Sequence, residues 1–427
     1  MVKKVIVHFK DVFSPLKNRN LRLFWTGQSI SLIGIWMQQI AQSWVVWELT
    51  KSTVDLGTVA MLGLLPFMFL APFSGSLADR TDRRKLLIYT QLAAMLLAFI
   101  LAYLVFTNLV QIWHIYVLAL LLGIVNAFDV TANFAFISDL AGAEIRKAVV
   151  INNMIFQISR MLGPAIGGVV VGAFGAALAF FVNGITFLAV IASLLVITTH
   201  QQIKKGQDGN SFSQFREAVG FVKNNSLIFG MVTLMAIVTF FVIPVMFILP
   251  AFVGQVLQGD AAVLGILMAA SGAGALVGSL FIAPLAQQVR KTGLMLAVSV
   301  AWTAAWLIMF SFSSQLQLAM IAMFFTSLLM PVIFTTTSGL TQLMAPPHMR
   351  ARMVAITMMV SFGAQPIASL LLGYSADILN IQTALMLNGI AMLAATSLLF
   401  LIRPDMRSWE TKIEIETKGP PTIAGKK

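Results

Sequence analysis

The sequence predicts an all-α integral membrane protein with twelve transmembrane helices in two six-helix halves and both termini in the cytoplasm. Of its 427 residues, 59% are hydrophobic and only 10% are charged, whereas soluble domains carry about a quarter charged residues. Apolar stretches of about 20 residues, long enough to cross a bilayer as helices, recur along the chain. Lys and Arg concentrate in alternate loops, which assigns those loops to the cytoplasm.

The predicted spans fall on either side of one long hydrophilic connection. Those of the first half are Leu23–Glu48, Val54–Ala78, Leu86–Phe106, Ile112–Ile137, 148–172 and Ala177–Ile197. Those of the second half are Leu227–Val253, Val263–Leu285, Gly293–Phe312, Leu316–Leu340, Met353–Leu372 and Ala384–Ile402. The predicted segments are a cytoplasmic N-terminal segment (1–22), an N-terminal bundle (23–199), a cytoplasmic linker (200–226), a C-terminal bundle (227–402) and a disordered cytoplasmic tail (403–427).

The positions of the basic residues support this topology. Of the 28 Lys and Arg residues, 26 fall in the termini, the linker and the loops assigned to the cytoplasm; the exceptions are Lys51 and Arg160. The net charge of +12 therefore needs no nucleic-acid partner. The chain has no Cys, which excludes disulfides and thiolate metal sites. Residues 1–22 lack a short apolar core with a cleavage site, so we expect no removable signal peptide.

A dense block of charge, Gly75–Lys85, joins the second and third predicted spans. An ordinary basic cytoplasmic loop would explain its arginines but not the small residues and the acid that precede them. Together with Leu16–Trp25, Asn126–Asp129 and Gly163–Gly168, it resembles the major facilitator superfamily of transporters. Within that superfamily, the chain is similar to the bacterial branch of enterobactin exporters and macrolide efflux pumps. The resemblance implies two parallel six-helix halves that work by alternating access.

The sequence departs from the family pattern in four places. Asp82 stands where the superfamily more often has Gly, and Ala119 stands about where many drug antiporters have an Arg. Thr131 and Asn133 stand where the branch commonly has Pro and Arg. The proton or substrate roles that the missing Arg residues have elsewhere cannot be carried over to this chain.

The resemblance implies that the charged loop is a conformational latch. In the family, its acid approaches the start of the eleventh span, where the helix dipole favours a carboxylate, and its basic residues meet an acid that ends the fourth span. The corresponding latch residues are Gly75, Asp79, Arg80, Arg83, Arg84 and Asp139. The alternative is that these charges only set the topology.

Two charges lie well inside predicted spans, Asp129 and Arg160. Each is roughly ten residues from the turn Asp139–Lys147, and at a rise of about 1.5 Å per residue they reach a similar depth. We therefore expect a buried pair. Because charge inside a membrane is costly, Asp129 is the candidate for proton coupling. A permanent structural tie between the two residues is the alternative.

The fifth span contains Gly163, Pro164, Gly167 and Gly168, which resemble a motif of proton-coupled exporters. Small residues let a neighbouring helix approach closely, and Pro removes a backbone hydrogen bond and permits a bend. The resemblance favours export over import. Close packing without any directional meaning is the alternative.

Polar side chains on the first span predict a substrate cavity. Gln28, Ser31, Gln38 and Gln42 form one stripe of a helix, and amides facing lipid would be costly. The stripe must face protein, through helix-to-helix hydrogen bonds, or a water-filled cavity. The cavity candidates are Gln28, Trp36, Gln38, Gln42, Asn126, Asn152, Phe240 and Thr336, and the adjacent residues Asn153, Phe241, Thr335 and Thr337 could join them. Amides and aromatic faces with few fixed charges suit an amphipathic organic molecule.

We therefore expect a monomeric, multi-pass transporter of the bacterial cytoplasmic (inner) membrane. It would export an amphipathic organic compound of the drug or siderophore class in exchange for protons. Alternatives are a symporter or importer, a lipid flippase, and a non-transporting scaffold. No catalytic residue, metal or cofactor is expected, because the four His lack ligand or nucleophile partners at useful spacings and no phosphate-binding loop is present.

Overall fold

The structure is a computed structural model that describes residues 13–198, 211–286, 288–346, 349–407 and 409. The side chains at positions 71, 72, 75, 76, 78–80, 211–215, 351 and 407 also lie outside this description. The described residues form helices and the turns between them. The predicted all-helical architecture is therefore confirmed for this part of the chain.

Six long helices precede the linker, and we call them the N-terminal group. They are α1 (Arg19–Thr50), α2 (Thr53–Arg80), α3 (Arg83–Phe106), α4 (Ile112–Ala141), α5 (Ile145–Phe174) and α6 (Ala176–Val196). A short 3-10 turn, Gly142–Glu144, joins α4 to α5. The predicted turn Asp139–Lys147 is therefore mostly helical, because hydropathy marks the apolar part of a helix and not its polar ends.

Polar side chains cap α1 and α3, which begin three to four residues before the predicted apolar stretches. The Asn18 side chain accepts hydrogen bonds from the backbone N–H groups of Asn20 and Leu21, so α1 starts before the predicted Leu23. The Asp82 side chain accepts from the backbone N–H groups of the second and third residues of α3. Such caps satisfy backbone donors that have no partner inside the helix.

The C-terminal part of the chain is more finely divided. It contains α7 (Ser211–Asn224), α8 (Ser226–Val242), α9 (Val245–Gln255), α10 (Ala261–Val277), α11 (Ala283–Ala286), α12 (Thr292–Ser311), α13 (Leu316–Leu328), α14 (Met330–Met344), α15 (Arg350–Gly363), α16 (Gln365–Leu379), α17 (Ile381–Ile402) and α18 (Pro404–Arg407). A π-helical segment, Gly278–Ile282, connects α10 to α11. We call α8–α17 the C-terminal group. Helix α7 lies in the predicted linker, and α18 lies in the predicted tail. Residues 408 and 410–427 of this tail lie outside the part of the chain that the structure describes.

Prolines interrupt three of the spans that the sequence predicts as continuous. Pro244 separates α8 from α9, Pro331 is the second residue of α14, and Pro366 is the second residue of α16. Pro has no backbone N–H and its ring clashes with the preceding turn, so a helix interior tends to break there. Pro164 is different, because α5 continues through it.

Ten helical stretches of the described chain are long and apolar enough to cross a membrane. One of them, Ile112–Phe174, has 63 residues and is interrupted at Gly142–Glu144. Helix α1 is not among the ten, and it carries the polar stripe that includes the buried side chains of Gln28, Ser31 and Gln38.

The two groups pack together mainly through two helix pairs, α5 with α10 and α2 with α16. We call the end of the molecule with the α2–α3 and α4–α5 turns the basic end, and the end with the α1–α2 turn the opposite end. The largest cluster of buried apolar side chains draws on both groups. Within it, the rings of Phe252 and Phe310 lie 4.3 Å apart.

Candidate functional site: a central cavity between two helix groups

A cavity of about 920 Å³ lies between the N-terminal and C-terminal groups. Its lining includes Asn153 near the start of α5, Gln342 near the end of α14 and Val354 near the start of α15. Those helix ends lie at the basic end, so the cavity extends in that direction. A volume of this size is in the range of ligand-binding pockets.

The cavity lining is rich in amides and has a single charged side chain. The amides are Gln38, Gln39, Gln42, Asn126, Asn153, Gln157, Asn183, Gln342 and Gln365. The aromatic residues are Trp36, Phe156, Phe187, Phe247, Phe334 and Phe362. Seven of the nine amides belong to the N-terminal group, whereas the C-terminal side is mainly Met, Phe, Ser and Thr. Arg160 is the only Asp, Glu, Lys, Arg or His among the described lining residues.

The groups are in close contact at the opposite end. Thr53 Oγ1 donates a buried hydrogen bond of 2.8 Å to the carbonyl oxygen of Gly373 in α16. On the other side of the molecule, Gly168 of α5 faces Gly265 of α10. A Cβ atom at Gly168 would lie 2.7 Å from the carbonyl oxygen of Ala261. These contacts close the cavity at that end.

The helix-5 motif supplies close approaches to two neighbours. Gly163 and Gly167 face α1, where added Cβ atoms would lie 2.5 Å from Trp36 Cβ and 2.8 Å from Met37 Cα. Gly168 faces the C-terminal group. The motif thus allows α5 to pack tightly between α1 and α10, as small residues do in membrane helices.

Six of the predicted cavity residues line the cavity, namely Trp36, Gln38, Gln42, Asn126, Asn153 and Thr335. The lining does not include Gln28, Asn152, Phe240 or Thr336, so this part of the prediction is corrected. In each of the adjacent pairs Asn152–Asn153 and Thr335–Thr336, one residue lines the cavity and the other does not. Adjacent residues on a helix point about 100° apart, and the sequence does not give the rotation of each helix about its axis.

The polar stripe of α1 is divided among three surroundings. Gln38 accepts a hydrogen bond of 2.6 Å from Asn183 Nδ2 in α6, and Gln42 lines the cavity. Gln28 and Ser31 are buried, and Gln28 Oε1 and Ser31 Oγ have no hydrogen-bond partner among the described residues. Both predicted surroundings, neighbouring protein and a cavity, therefore occur along one helix.

Asp129 and Arg160 are not paired, contrary to the prediction. Asp129 Oδ1 accepts hydrogen bonds from Thr90 Oγ1 at 2.6 Å and Gln91 Nε2 at 2.9 Å, both on α3. Arg160 Nη2 lies 3.5 Å from Ser271 Oγ of α10, and its guanidinium carbon lies 5.9 Å from the ring centre of Trp36. The number of residues between each charge and the turn predicts only how deep that charge lies. It does not predict the direction in which a side chain leaves its helix, and these two side chains point in different directions.

At the basic end, Arg83 Nη1 lies 2.5 Å from Asp139 Oδ1, joining the start of α3 to the end of α4. Arg84 instead donates from Nε to the carbonyl oxygen of Leu194 at 2.5 Å and from Nη2 to that of Leu195 at 2.8 Å. It therefore binds the end of α6, where the helix dipole favours a cation. The side chains of the other predicted latch residues, Asp79 and Arg80, and position Gly75 lie outside the described part.

One polar contact was not predicted. Tyr116 Oη donates a hydrogen bond of 2.6 Å to Asp55 Oδ1, linking α4 to the first turn of α2 near the opposite end. The two residues are far apart in sequence, and no spacing pattern connects them. Within the described residues, no group of three or more His, Cys, Asp or Glu side chains is placed to hold a metal ion.

Comparison with known families decides the class of the protein. Residues 10–423 match the family described as transmembrane secretion effector. This chain belongs to that family of major facilitator transporters. The predicted resemblance is therefore confirmed, and the chain is a membrane transporter and not an enzyme.

Several relatives of this transporter family cover most of the chain. The staphyloferrin A transporter of Staphylococcus aureus (strain NCTC 8325 / PS 47) is 25% identical over 93% of this chain and 99% of that protein. The multidrug efflux pump Tap of Mycolicibacterium fortuitum is 24% identical over 83% of this chain and 88% of that protein. Macrolide efflux protein A of Streptococcus pyogenes is 23% identical over 60% of this chain and 64% of that protein.

Solved transporter structures share the fold. A bacterial homolog of the human lysosomal transporter Spinster, in an inward-facing and occupied conformation, superposes with a TM-score of 0.74 at 11% identity. That alignment covers 92% of this chain and 99% of the other. The nucleoside transporter NupG gives a TM-score of 0.68 at 14% identity over 90% of this chain and 99% of the other.

Proposed function

We propose that this major facilitator transporter exports an amphipathic organic compound, of the drug or siderophore class, across the bacterial cytoplasmic membrane in exchange for protons. The observation that carries the proposal is the central cavity, whose amide and aromatic lining contains one charge. Such a surface suits a large organic molecule better than a small inorganic ion. The names of the efflux-type relatives agree with this substrate class.

The proposed topology has twelve spans, with both termini in the cytoplasm. Dividing Ile112–Phe174 into α4 and α5 and counting α1 as a span extends the ten apolar stretches to twelve. The bundles 23–199 and 227–402, with the linker 200–226 between them, are then the two bodies of alternating access. The positive-inside bias places the basic end in the cytoplasm. The cavity then extends toward the cytoplasm and is closed on the outside.

Topology can be measured directly, because the chain contains no Cys. Single cysteines at the exposed positions Asn108 and Gln258 should react with a membrane-impermeant maleimide on intact cells. Cysteines at Ala143 and Lys223 should react only after the membrane is opened. Reaction of Ala143→Cys from the outside would contradict the proposed orientation.

Charged residues at the basic end have the proposed role of a latch. The ion pair between Arg83 and Asp139 braces the turn inside the N-terminal group. In the proposed network, Asp79 would act across to the start of α15, where the helix dipole favours a carboxylate, and Arg80 would join the basic residues that meet Asp139. In the proposed cycle, this network holds the inner side closed when the outer side is open. Asp129 is the proposed proton-binding residue, because it is a carboxylate in the middle of a membrane helix with only neutral hydrogen-bond donors beside it.

The direct test uses an efflux-deficient bacterium that expresses the chain at verified membrane levels. Growth is measured across a panel of antibiotics, dyes and siderophore-loading conditions. A compound that gives a phenotype is then tested in everted membrane vesicles. We expect uptake into these vesicles when a proton gradient is imposed and loss of uptake when nigericin collapses it. Accumulation inside intact cells would instead favour import.

The proposed transporter works as a monomer, without a nucleic-acid partner or cofactor. Its cavity lies within one chain and draws on both helix groups. Its transport activity after reconstitution at one copy per nanodisc or small vesicle should therefore equal that at higher densities. Activity that appears only at several copies per vesicle would contradict the monomer.

A further inference from the structure

Arg160 occupies an unusual position for a charged residue in a membrane protein. It lies in the middle of α5, lines the central cavity and faces the C-terminal group. Charges inside membrane proteins usually pair with one another or with backbone carbonyls. No Asp or Glu belongs to the described lining of this cavity.

The neighbours of Arg160 leave most of its donors available. A guanidinium has five N–H donors, and its one hydrogen bond to described residues is the long contact to Ser271 Oγ at 3.5 Å. Ser271 Oγ also lies 2.7 Å from Ser327 Oγ and is engaged there. Trp36 contributes a ring face at 5.9 Å but no negative charge.

The acids that could approach Arg160 are held elsewhere. Asp129 of α4 is bound to Thr90 and Gln91 of α3. Asp55 of α2 is bound to Tyr116, and Glu48 of α1 accepts a hydrogen bond of 2.7 Å from the indole N–H of Trp44. The positive charge in the cavity is thus uncompensated by the described side chains.

We propose that the transported compound is an amphipathic organic anion whose carboxylate pairs with Arg160. This inference rests on the proposed function and specifies its substrate class. A guanidinium binds a carboxylate through two parallel hydrogen bonds, and such charge-assisted bonds are strong away from water. Binding of an anion also removes the cost of an unpaired charge in a cavity that is closed on one side.

The rest of the lining fits the rest of such a molecule. Gln157 lies one helical turn before Arg160 on the same face of α5. Its Oε1 atom is buried and has no hydrogen-bond partner within the described part of the chain. It can accept from a hydroxyl or amide of the compound. Across the cavity, Phe247 and Phe334 present apolar surface. A cationic compound would find repulsion at Arg160 and no acid among the described lining residues.

The test compares three fluorescent probes of similar size and different charge: N-dansylphenylalanine (anionic), its methyl ester (neutral) and dansylcadaverine (cationic). Binding to the purified full-length chain in nanodiscs is followed by energy transfer from Trp to dansyl. We expect the anion to bind at least tenfold more tightly than the ester, and the cation to bind most weakly. Arg160→Gln should remove the preference for the anion and leave the affinity for the ester within about twofold.

Two further variants control for folding and for overall charge. Arg160→Lys keeps the charge but not the planar fork, so it should retain a reduced preference. Lys51→Gln removes a cation that packs on Trp47 outside the cavity, and it should bind all three probes as the unmodified chain does. Retained affinity for the ester shows that a variant is folded. If Arg160→Gln does not fold, the preferences of Arg160→Lys and Lys51→Gln for the anion are compared. A preference that is reduced in Arg160→Lys and unchanged in Lys51→Gln supports the inference, and equal preferences contradict it.

Equal affinities for the anion and the ester, no binding of the anion, or an unchanged preference in Arg160→Gln would overturn the inference. The assay measures neither direction nor proton coupling. A preference for the anion without export would therefore remove only the proposed direction. If the protein exports a neutral or cationic compound and binds the anionic probe no more tightly than the ester, only the role of Arg160 is refuted.

Discussion

Thr90 Oγ1 lies 2.6 Å from Asp129 Oδ1 and donates a hydrogen bond to it, which fixes the carboxylate on the α3 side of α4. Gln91 adds a second hydrogen bond of 2.9 Å to the same oxygen. Arg160 lies on the other side of the N-terminal group, against α10 and the cavity. Any exchange of protons at Asp129 would therefore take place away from Arg160, where we propose that the carboxylate of the compound binds.

Asp129→Asn should abolish proton-driven export while leaving expression and folding intact. The amide oxygen of Asn can accept the same two hydrogen bonds, but Asn cannot exchange a proton at physiological pH. Transport would be measured as vesicle uptake under a pH gradient, with thermal unfolding as the check on folding. Thr90→Val is the matched control, because it removes one donor and keeps the acid. Transport by Asp129→Asn at the unmodified rate would rule out the proton role.

The double exchange of Asp129→Arg with Arg160→Asp should not restore transport. The two side chains have different neighbours, so each exchanged charge would face groups that cannot compensate it. An Arg at position 129 would face the Thr90 hydroxyl and the Gln91 amide, and an Asp at position 160 would face Ser271. Normal transport by the double variant would mean that the two residues form a structural pair in another state of the cycle.

Gly168→Ala should impair transport much more than Gly172→Ala. At Gly168, the new Cβ would lie 2.7 Å from the Ala261 carbonyl oxygen and 2.9 Å from the Cα of Gly265, so α5 and α10 would have to separate. At Gly172, the Cβ would meet Ala262 Cβ at 3.6 Å, an ordinary van der Waals contact. We expect at least a severalfold lower rate for Gly168→Ala and a near-normal rate for Gly172→Ala. Equal transport rates in the two variants, both well expressed, would show that transport tolerates a wider gap between α5 and α10.

Arg83 and Asp139 should be energetically coupled. Their contact of 2.5 Å is partly shielded, with side-chain exposures of 14% and 32%, and such pairs contribute about 1 kcal/mol. A double-mutant cycle of Arg83→Gln and Asp139→Asn, measured by thermal or denaturant unfolding in detergent, should give a coupling energy of about this size. Arg84→Gln with Asp139→Asn is the control, since Arg84 binds the end of α6. Additive effects in both cycles would argue against the ion pair.

The family and the succession of helices were predictable, because hydropathy and the placement of Lys and Arg are properties of whole segments. The interruptions in the C-terminal group were not predicted, although Pro244, Pro331 and Pro366 mark them. Hydropathy is continuous across each break, and it alone does not distinguish one helix from two. Similarly, the spacing of the polar residues predicts that they share one face of α1. It does not predict which neighbours they meet.

The direction in which side chains point was the main unpredicted feature of the site. Asn153 faces the cavity and Asn152 does not, although the two are chemically identical. Asp129 meets α3, because of the rotation of α4 about its axis and its position beside Thr90. Both facts depend on how helices distant in sequence pack. The periodicity of one helix contains no such information.

The interruptions beside the three prolines all reach the cavity wall. Ile243 next to Pro244, Met330 and Pro331 at the start of α14, and Gln365 before Pro366 each line it. The lining helices of the N-terminal group run through their cavity-facing stretches without a break. A compound in the cavity would therefore contact three helix breaks on the C-terminal side and continuous helices on the N-terminal side. We expect loading of the cavity to shift the C-terminal group more than the N-terminal group.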